Sequence, residues 1–321
     1  MRLHTNIHTP PSLRVEIRFI ISAYSYPFFV RHPSHLPGQD GKVRLFRPDM
    51  NMRRLARSTQ RIALPDFDQD QFLECIKELV KVDSAWIPEE KGYSLYLRPT
   101  AIGTQPSLGV GASKNAKMFV IMSPVGPYYK NGFAPVSLLA DDRYNRAWPG
   151  GVGNYKIGGN YAPGVVPQIE AGEKGYDQLL WLSDEDHKVT EVGTMNFFVF
   201  WTNKAGEKEL ITAPLEGTIL PGVTRDSIID LAKQWGEFKV TEGWFTMKDL
   251  IEAQQEGRLI EAFGAGTACI VSPVKNIGYQ GKDYAVPLAA GKSGELTLRV
   301  NNTISDIQYG DIESEWSVVV E

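Results

Sequence analysis

The chain of 321 residues has only two cysteines, Cys75 and Cys269, which excludes a disulfide framework and points to a reducing compartment. No apolar run approaches the roughly 20 residues that a membrane-spanning helix needs. A basic excess is missing too. With 34 Lys and Arg against 38 Asp and Glu, the net charge of −4 supplies no broad field for binding nucleic acid. Histidine is scarce, and no pair of His or Cys has metal-ligand spacing, so no metal is expected. Repeats and coiled-coil heptads are also lacking. What remains is 42% hydrophobic and 22% charged, long enough for one large domain or two ordinary ones with a substantial core.

The first 39 residues differ from the rest. They hold His4, His8, His32 and His35 with four arginines and a single acid, Glu16. "SLRVEIRFIISAYSYPFFVRHPSHLPG" has a strand-like apolar piece followed by prolines that stop it. It is too irregular for a secretory signal, while its basic, acid-poor character loosely suits a mitochondrial transit peptide. The expectation is that this start does not belong to the fold that follows.

From Lys42 the texture is α+β. "KVRLF" alternates as a strand, and residues 68–83 read as a helix with Asp68 as N-cap. "YSLYLRPTAIG" and "AKMFVIMSPVG" read as antiparallel strands. The Gly- and Pro-rich stretch 123–137 breaks the pattern. Beyond it "QLLWLS", "NFFVFW" and "KELITAP" are strands, and helices are expected at 225–235 and at 247–256, where Thr246 and Asp249 approach a capping box. The organisation expected is an atypical segment 1–39, a small domain 40–125, a linker 126–135 and a larger domain 136–321, with a ligand cleft between the two domains.

Two motifs carry no function. "GKS" at 291–293 has Val286 where a P-loop needs its first glycine, and the "NNT" sequon at 301–303 matters only to a secreted protein. Three glycine-flanked segments remain. "LPGVTRDSIIDLA" puts a tight turn before an amphipathic helix, whose N–H groups and dipole suit an anion. "GAGTACIVSPV" is a second loop, with Thr267 supplying a hydroxyl. In "GGVGNYKIGGNYAP" a lone lysine, Lys156, sits among glycines, where it is either solvated or a nucleophile able to form a Schiff base with a carbonyl. Schiff-base chemistry beside a phosphate site suggests pyridoxal phosphate, which also needs an acid at its ring nitrogen. Glu191, in "TEVGTMNFFVFW", is a candidate, its alternative being an exposed turn residue.

The stretches "LFRPDMNMRRLARS", "SLYLRP", "PSLGVG", "SLLADD", "RAWPGGVGNYKIGGNYAP", "VTEVGTMN", "LPGVTRDS", "FGAGTACIVSPV" and "IQYG" occur in this order from about residue 42 onward. In this they resemble the branched-chain amino-acid aminotransferases, pyridoxal-phosphate enzymes of fold type IV. Together the motifs are highly specific. The resemblance implies an α+β fold of two domains, the smaller with an antiparallel sheet and the larger with a β-barrel-like core, and the cofactor in the cleft between them. It implies that Lys156 holds pyridoxal 5'-phosphate and shuttles a proton, that Tyr161 contacts the ring's phenolic oxygen, and that Glu191 pairs with the ring nitrogen. Arg54, the N–H groups of Val223 and Thr224, and Thr267 would hold the phosphate, with Arg146 supporting that region. Tyr96, Arg98, Thr194 and the Ala268 backbone would surround the substrate, and Tyr128 would close over it. Leu108 and Val110 would reach across a homodimer interface to wall the partner's pocket. The substrates implied are branched-chain amino acids, 2-oxoglutarate and branched 2-oxo acids, with no nucleic acid or membrane partner and a cytoplasmic or mitochondrial location.

Two departures from the family pattern stand out. Mammalian members carry a Cys-x-x-Cys redox pair, but here Cys269 is followed by Ser272, which removes the resolving thiol. The family also has a pocket-lining segment with a Phe-Glu-Gly turn ahead of "KVRLFRP", and residues 1–38 lack it, which should remove central strands from the small sheet. The alternatives to a working transaminase are therefore a truncated isoform or mispredicted gene model that binds cofactor with impaired catalysis and, further off, a D-amino-acid aminotransferase.

Overall fold

The computed structural model describes residues 22–24, 28–31, 41–90, 92–126 and 133–320. In chain order it opens with strands β1 (Ser22–Tyr24), β2 (Phe28–Arg31) and β3 (Arg44–Phe46), helices α1 (Pro48–Arg61) and α2 (Gln69–Val82), and the long strands β4 (Ser94–Gly103) and β5 (Ala116–Val125). β4 is the spine of the first sheet. β5 pairs antiparallel along its whole length, and β1 and β2 lie end to end along its other edge, at Thr100–Ile102 and Leu95–Leu97. β2 also pairs with β3, so it occupies a central place. This departs from the expectation that residues 1–39 stand apart from the fold: two of their segments join the sheet. Ladder hydrogen bonds use main-chain groups, so an extended segment can fill a strand position without carrying the family's motif.

The second sheet begins at β6 (Val136–Asp141), followed by α3 (Val165–Glu173), β7 (Gln178–Ser183), β8 (Lys188–Val192), β9 (Met195–Thr202) and β10 (Lys208–Thr212). After these come α4 (Val223–Trp235), β11 (Lys239–Glu242), α5 (Met247–Gln255), β12 (Leu259–Gly266), β13 (Ile270–Tyr279), β14 (Lys282–Ala285), α6 (Glu295–Tyr309) and β15 (Ser317–Val319). Strands β8, β9, β12, β13, β6 and β7 pair in that order, and β7 closes back on β8, which makes a six-stranded barrel. Closure removes the exposed edges that an open sheet would present. The last strand, β15, returns to the first sheet and pairs with β3.

Helix starts follow their local chemistry. Asp68 caps α2 by accepting from the Gln71 N–H, and Thr246 with Asp249 forms a complete capping box on α5. Three helices escape the apolar-periodicity rule. The inner face of α1 is largely polar, with Asn51, Arg54, Ser58 and Thr59 buried beside Met52 and Leu55. In α3, Val165, Val166 and Ile169 are exposed while Pro167 and Ala171 are buried. In α6, two asparagines and a threonine interrupt the apolar rhythm. The segment 264–274, expected as a loop, is instead the tight β12–β13 hairpin around Gly266–Ile270.

The apolar interior falls into distinct parts. One packs α1 and α2 on the first sheet around Leu45, Leu55, Ile76, Leu95 and Leu97. A second packs α4 and α6 on the barrel wall around Phe198, Ile228, Phe263, Val300 and Ile304, and a third joins α5 to the barrel. Phe198 and Phe263 are fully buried and stack with ring centroids 5.2 Å apart. Phe198→Ala is expected to cost about 3–5 kcal/mol; a urea titration followed by tryptophan fluorescence would measure it.

Candidate active site

Lys156 sits where the 142–157 loop crosses the inner face of α1. Gly153 sets the path, because a Cβ there would lie 2.3 Å from Ala147 Cβ and 2.6 Å from the Thr218 carbonyl oxygen. The Lys156 N–H donates to Ser58 Oγ on α1 (2.9 Å), so the small-sheet side fixes the backbone that carries the amine. The side chain is 6% exposed, and its Nζ is hydrogen-bonded to the Tyr161 hydroxyl. Tyr161 lies five residues on, between two short 3₁₀ turns. Desolvation, followed by the nearby Arg54 guanidinium, holds the ammonium well below the ordinary lysine range, against an opposing pull from Glu191. Desolvation favours the neutral amine, the form that is a nucleophile and proton acceptor.

Glu191 lies near the end of β8 and is 1% exposed. Its Oε2 meets Arg146 Nε at 2.7 Å, and its Oε1 accepts from the Leu220 N–H at 2.7 Å. Arg146 also donates to the carbonyls of Thr218 (2.9 Å) and Gly153 (3.2 Å). Arg146 was expected beside the phosphate-binding Arg54; the structure places it on Glu191 instead. Burial raises the Glu191 carboxyl above its usual range, and the Arg146 charge is the largest force against that rise. Asn196, a residue the sequence reading missed, donates to the Leu220 carbonyl (2.9 Å) and so ties β9 to the turn before α4. Its signal lay in the "TEVGTMN" motif, whose final residue it is.

Arg54 projects from α1, donating to the Pro221 carbonyl (3.2 Å) and to Asn51 Oδ1 (3.0 Å). It lines a pocket together with Glu191, Thr194, Asn196, Val223, Thr224 and Thr267. The first turn of α4 opens into this pocket. Its N-cap, Gly222, has no side-chain cap, and Val223, Thr224 and Arg225 are buried. The first N–H groups of a helix lack intrahelical acceptors, so this buried, uncapped start suits an anion. Gly222 is dictated by space, since a Cβ would fall 2.2 Å from Asn196 Oδ1.

On the first sheet, Tyr96 and Arg98 share one face of β4, and the Arg98 Nη2 donates to the Tyr96 hydroxyl at 2.7 Å. Thr194 is exposed at the β8–β9 turn, and Ala268 sits in the β12–β13 turn beside Thr267. Tyr128 lies outside the described residues. Leu108 and Val110 are 93% and 99% exposed. Cys269 Sγ lies 3.3 Å from Met195 Sδ, and burial pushes its thiol up to about 12. Ser272 is fully buried where a second thiol would be needed.

The donor set fits pyridoxal 5'-phosphate. A desolvated amine can bind its aldehyde, a buried carboxylate can face its ring nitrogen, and a guanidinium with helix N–H groups and hydroxyls can hold its phosphate. These features define a pyridoxal-phosphate transaminase site in the cleft between a small sheet and a barrel. Residues 38–277 match the family described as amino-transferase class IV. A branched-chain-amino-acid aminotransferase of Dictyostelium discoideum is 61% identical over 284 residues, 88% of this chain and 75% of that protein. A cytosolic one from Mus musculus is 52% identical over 88% of this chain and 73% of its own length. The crystal structure of the Escherichia coli branched-chain amino acid aminotransferase shares the fold, with a TM-score of 0.75 at 24% identity over 94% of this chain and 90% of that one. The chain belongs to the class IV aminotransferases and, within them, to the branched-chain-amino-acid aminotransferases.

Two predictions follow from the buried charges. Arg146→Met leaves Glu191 buried and unpaired, which should cost about 3–5 kcal/mol of stability. It should also raise the Glu191 carboxyl further, so the acid limb of the kcat profile moves to higher pH; an unmoved limb would separate Arg146 from the ionisation of Glu191. Lys156 gives the opposite stability effect. The unfolded chain keeps a proton on this lysine up to about 10.5, whereas the fold releases it at lower pH, so wild-type stability rises with pH across the interval between the two. Apoprotein carrying Lys156→Met should therefore melt above wild type at neutral pH. Scanning calorimetry should show the gap closing as pH climbs toward 10.5.

Proposed function

We propose that this chain moves the amino group of L-leucine, L-isoleucine or L-valine to 2-oxoglutarate, releasing the branched 2-oxo acid and glutamate. The observation that carries this reading is the Lys156–Tyr161 pair, flanked by the Glu191–Arg146 pair on one side and by Arg54 and the α4 N-terminus on the other. Bound pyridoxal phosphate supplies an electron sink for the charge left when the substrate Cα loses its proton.

Lys156, whose desolvation favours the neutral amine, takes that proton at Nζ and returns it when the amino group moves on. The Tyr161 hydroxyl keeps Nζ in place. The Arg146 charge opposes the rise that burial imposes on the Glu191 carboxyl, which favours the carboxylate form that a protonated ring nitrogen would pair with. Arg54, the Val223 and Thr224 N–H groups and the hydroxyls of Thr224 and Thr267 bind the phosphate in charge-assisted hydrogen bonds. Tyr96, Arg98, Thr194 and the Ala268 N–H orient the amino acid.

An apolar pocket separates substrates differing by one methylene by only about 1–3 kcal/mol, so all three branched-chain amino acids should react. Arg98, exposed on β4, is placed to meet the distal carboxylate of 2-oxoglutarate. Leu108 and Val110, nearly fully exposed, are best covered by a second copy of the chain, and a homodimer is the assembly we infer. The organisation into 40–125, a linker at 126–135 and 136–321 is supported by the change from one sheet to the other across that stretch, with β15 as the exception that returns. Two free cysteines support the cytosol or the mitochondrion as its place.

The test is leucine-dependent glutamate formation by the purified chain with pyridoxal phosphate and 2-oxoglutarate. Wild type should turn over all three branched-chain amino acids, and Lys156→Met should fall by roughly 10³-fold or more. Wild-type protein that forms no glutamate would sink the proposal.

A further inference from the structure

Arg47 lies outside the pocket, yet it holds together the two elements that build the phosphate end of it. Its backbone is left-handed, with φ +45°, an unusual state for a residue with a Cβ, held at the start of α1 where Pro48 follows. Strained backbone of this kind persists only where the surroundings over-determine it. Here the Arg47 N–H donates to the Trp316 carbonyl (2.7 Å), next to β15, and the guanidinium lies 4.5 Å above the Trp316 ring centroid. The guanidinium then spans to α4, meeting Asp226 Oδ2 at 2.8 Å, Asp230 Oδ2 at 3.6 Å and Ser227 Oγ at 2.9 Å. Its side chain is 12% exposed, while the two carboxylates are partly open to solvent.

The same residue leads back to Arg54. The Arg47 carbonyl accepts from Asn51 Nδ2 (3.0 Å), and Asn51 Oδ1 accepts from Arg54 Nη2 (3.0 Å). Arg54 in turn reaches the Pro221 carbonyl, one residue before the α4 N-cap. A closed circuit thus runs from α4 through Arg47, Asn51 and Arg54 to the turn that opens α4. It joins the helix that presents the guanidinium to the helix that presents the N–H groups.

Electrostatics give Arg47 a second task. Asp226 and Asp230 stand in the first two turns of α4, where carboxylates favour the helix dipole but repel an anion bound at the same end. Asp230 is already pushed up by desolvation and by its neighbour Asp226, with Arg47 opposing the shift. Cancelling these charges from outside the pocket leaves the N-terminus of α4 attractive to a phosphate.

We propose that Arg47 is a positioning residue for the phosphate end of the cofactor site. It locks α1 and its Arg54 in register with the first turn of α4, and it neutralises the acids that would oppose a phosphate there. This rests on the pyridoxal-phosphate reading of the site, and the experiment separates the two.

Apoprotein would be titrated with pyridoxal phosphate and, separately, with pyridoxal, which offers the same aldehyde and ring without the phosphate. Wild type should prefer pyridoxal phosphate strongly; wild type that binds neither ligand overturns the reading of the site and this inference together. Arg47→Gln should weaken pyridoxal phosphate about 10-fold or more, as expected for one mis-set charge-assisted hydrogen bond, and leave pyridoxal within about 2-fold. Arg47→Lys, which keeps the charge but not the fork, should fall between. Adding Asp226→Asn and Asp230→Asn to Arg47→Gln removes the stranded acids and should recover part of the lost affinity. That triple variant gives the same two-ligand ratio if the single variant does not fold. Equal weakening of both ligands, or no weakening of pyridoxal phosphate, overturns the proposal.

Discussion

The buried carboxylate of Glu191 is the constraint around which the site is arranged. Its burial pushes the carboxyl toward the neutral form, and three separate parts of the chain oppose that push. Arg146 comes from the loop that also carries Lys156, the Leu220 N–H from the turn before α4, and the Asn196 amide, 3.5 Å from Oε1, from β9. Satisfying one acid therefore sets the lysine loop, the anion-binding helix and the barrel strand relative to one another. Lys156 feels the result, since it sits desolvated among Arg54, Arg146 and Glu191.

The small-sheet side contributes by reaching into this arrangement rather than by enclosing it. α1 turns its polar face inward, so Asn51, Arg54 and Ser58 face the cofactor region while Met52 and Leu55 hold the helix to its sheet. One helix thus carries both the packing that anchors it and the donors that serve the site. The barrel strands carry Glu191 and Asn196 for the site as well, while their packing rests on aromatic and aliphatic side chains such as Phe198, Phe263 and Val199.

What the sequence made legible follows from how each feature is encoded. Apolar runs bounded by turn residues marked β4, β5, β7 and β9, and capping residues with an apolar face marked α2 and α5. The motif resemblance supplied Lys156, Tyr161, Glu191, Arg54 and Thr224, and the structure brings these into one region. It did not foresee α1 as a helix, since a buried polar face has no apolar period to read. Nor did it pair Arg146 with Glu191, which lie 45 residues apart in sequence and meet where the loop after β6 folds over the end of β8. The strand positions filled by Ser22–Tyr24 and Phe28–Arg31 were illegible for a different reason, since main-chain pairing leaves little mark on composition.

The contrast between the two thiols has a practical side. Cys269, partly buried against Met195, has its thiolate suppressed, whereas Cys75 is exposed on α2. A maleimide dye at mild pH would therefore mark the native protein at a single position, on a helix packed against the small sheet. No cysteine would have to be removed to turn the wild-type chain into a fluorescent reporter of how that sheet moves against the barrel.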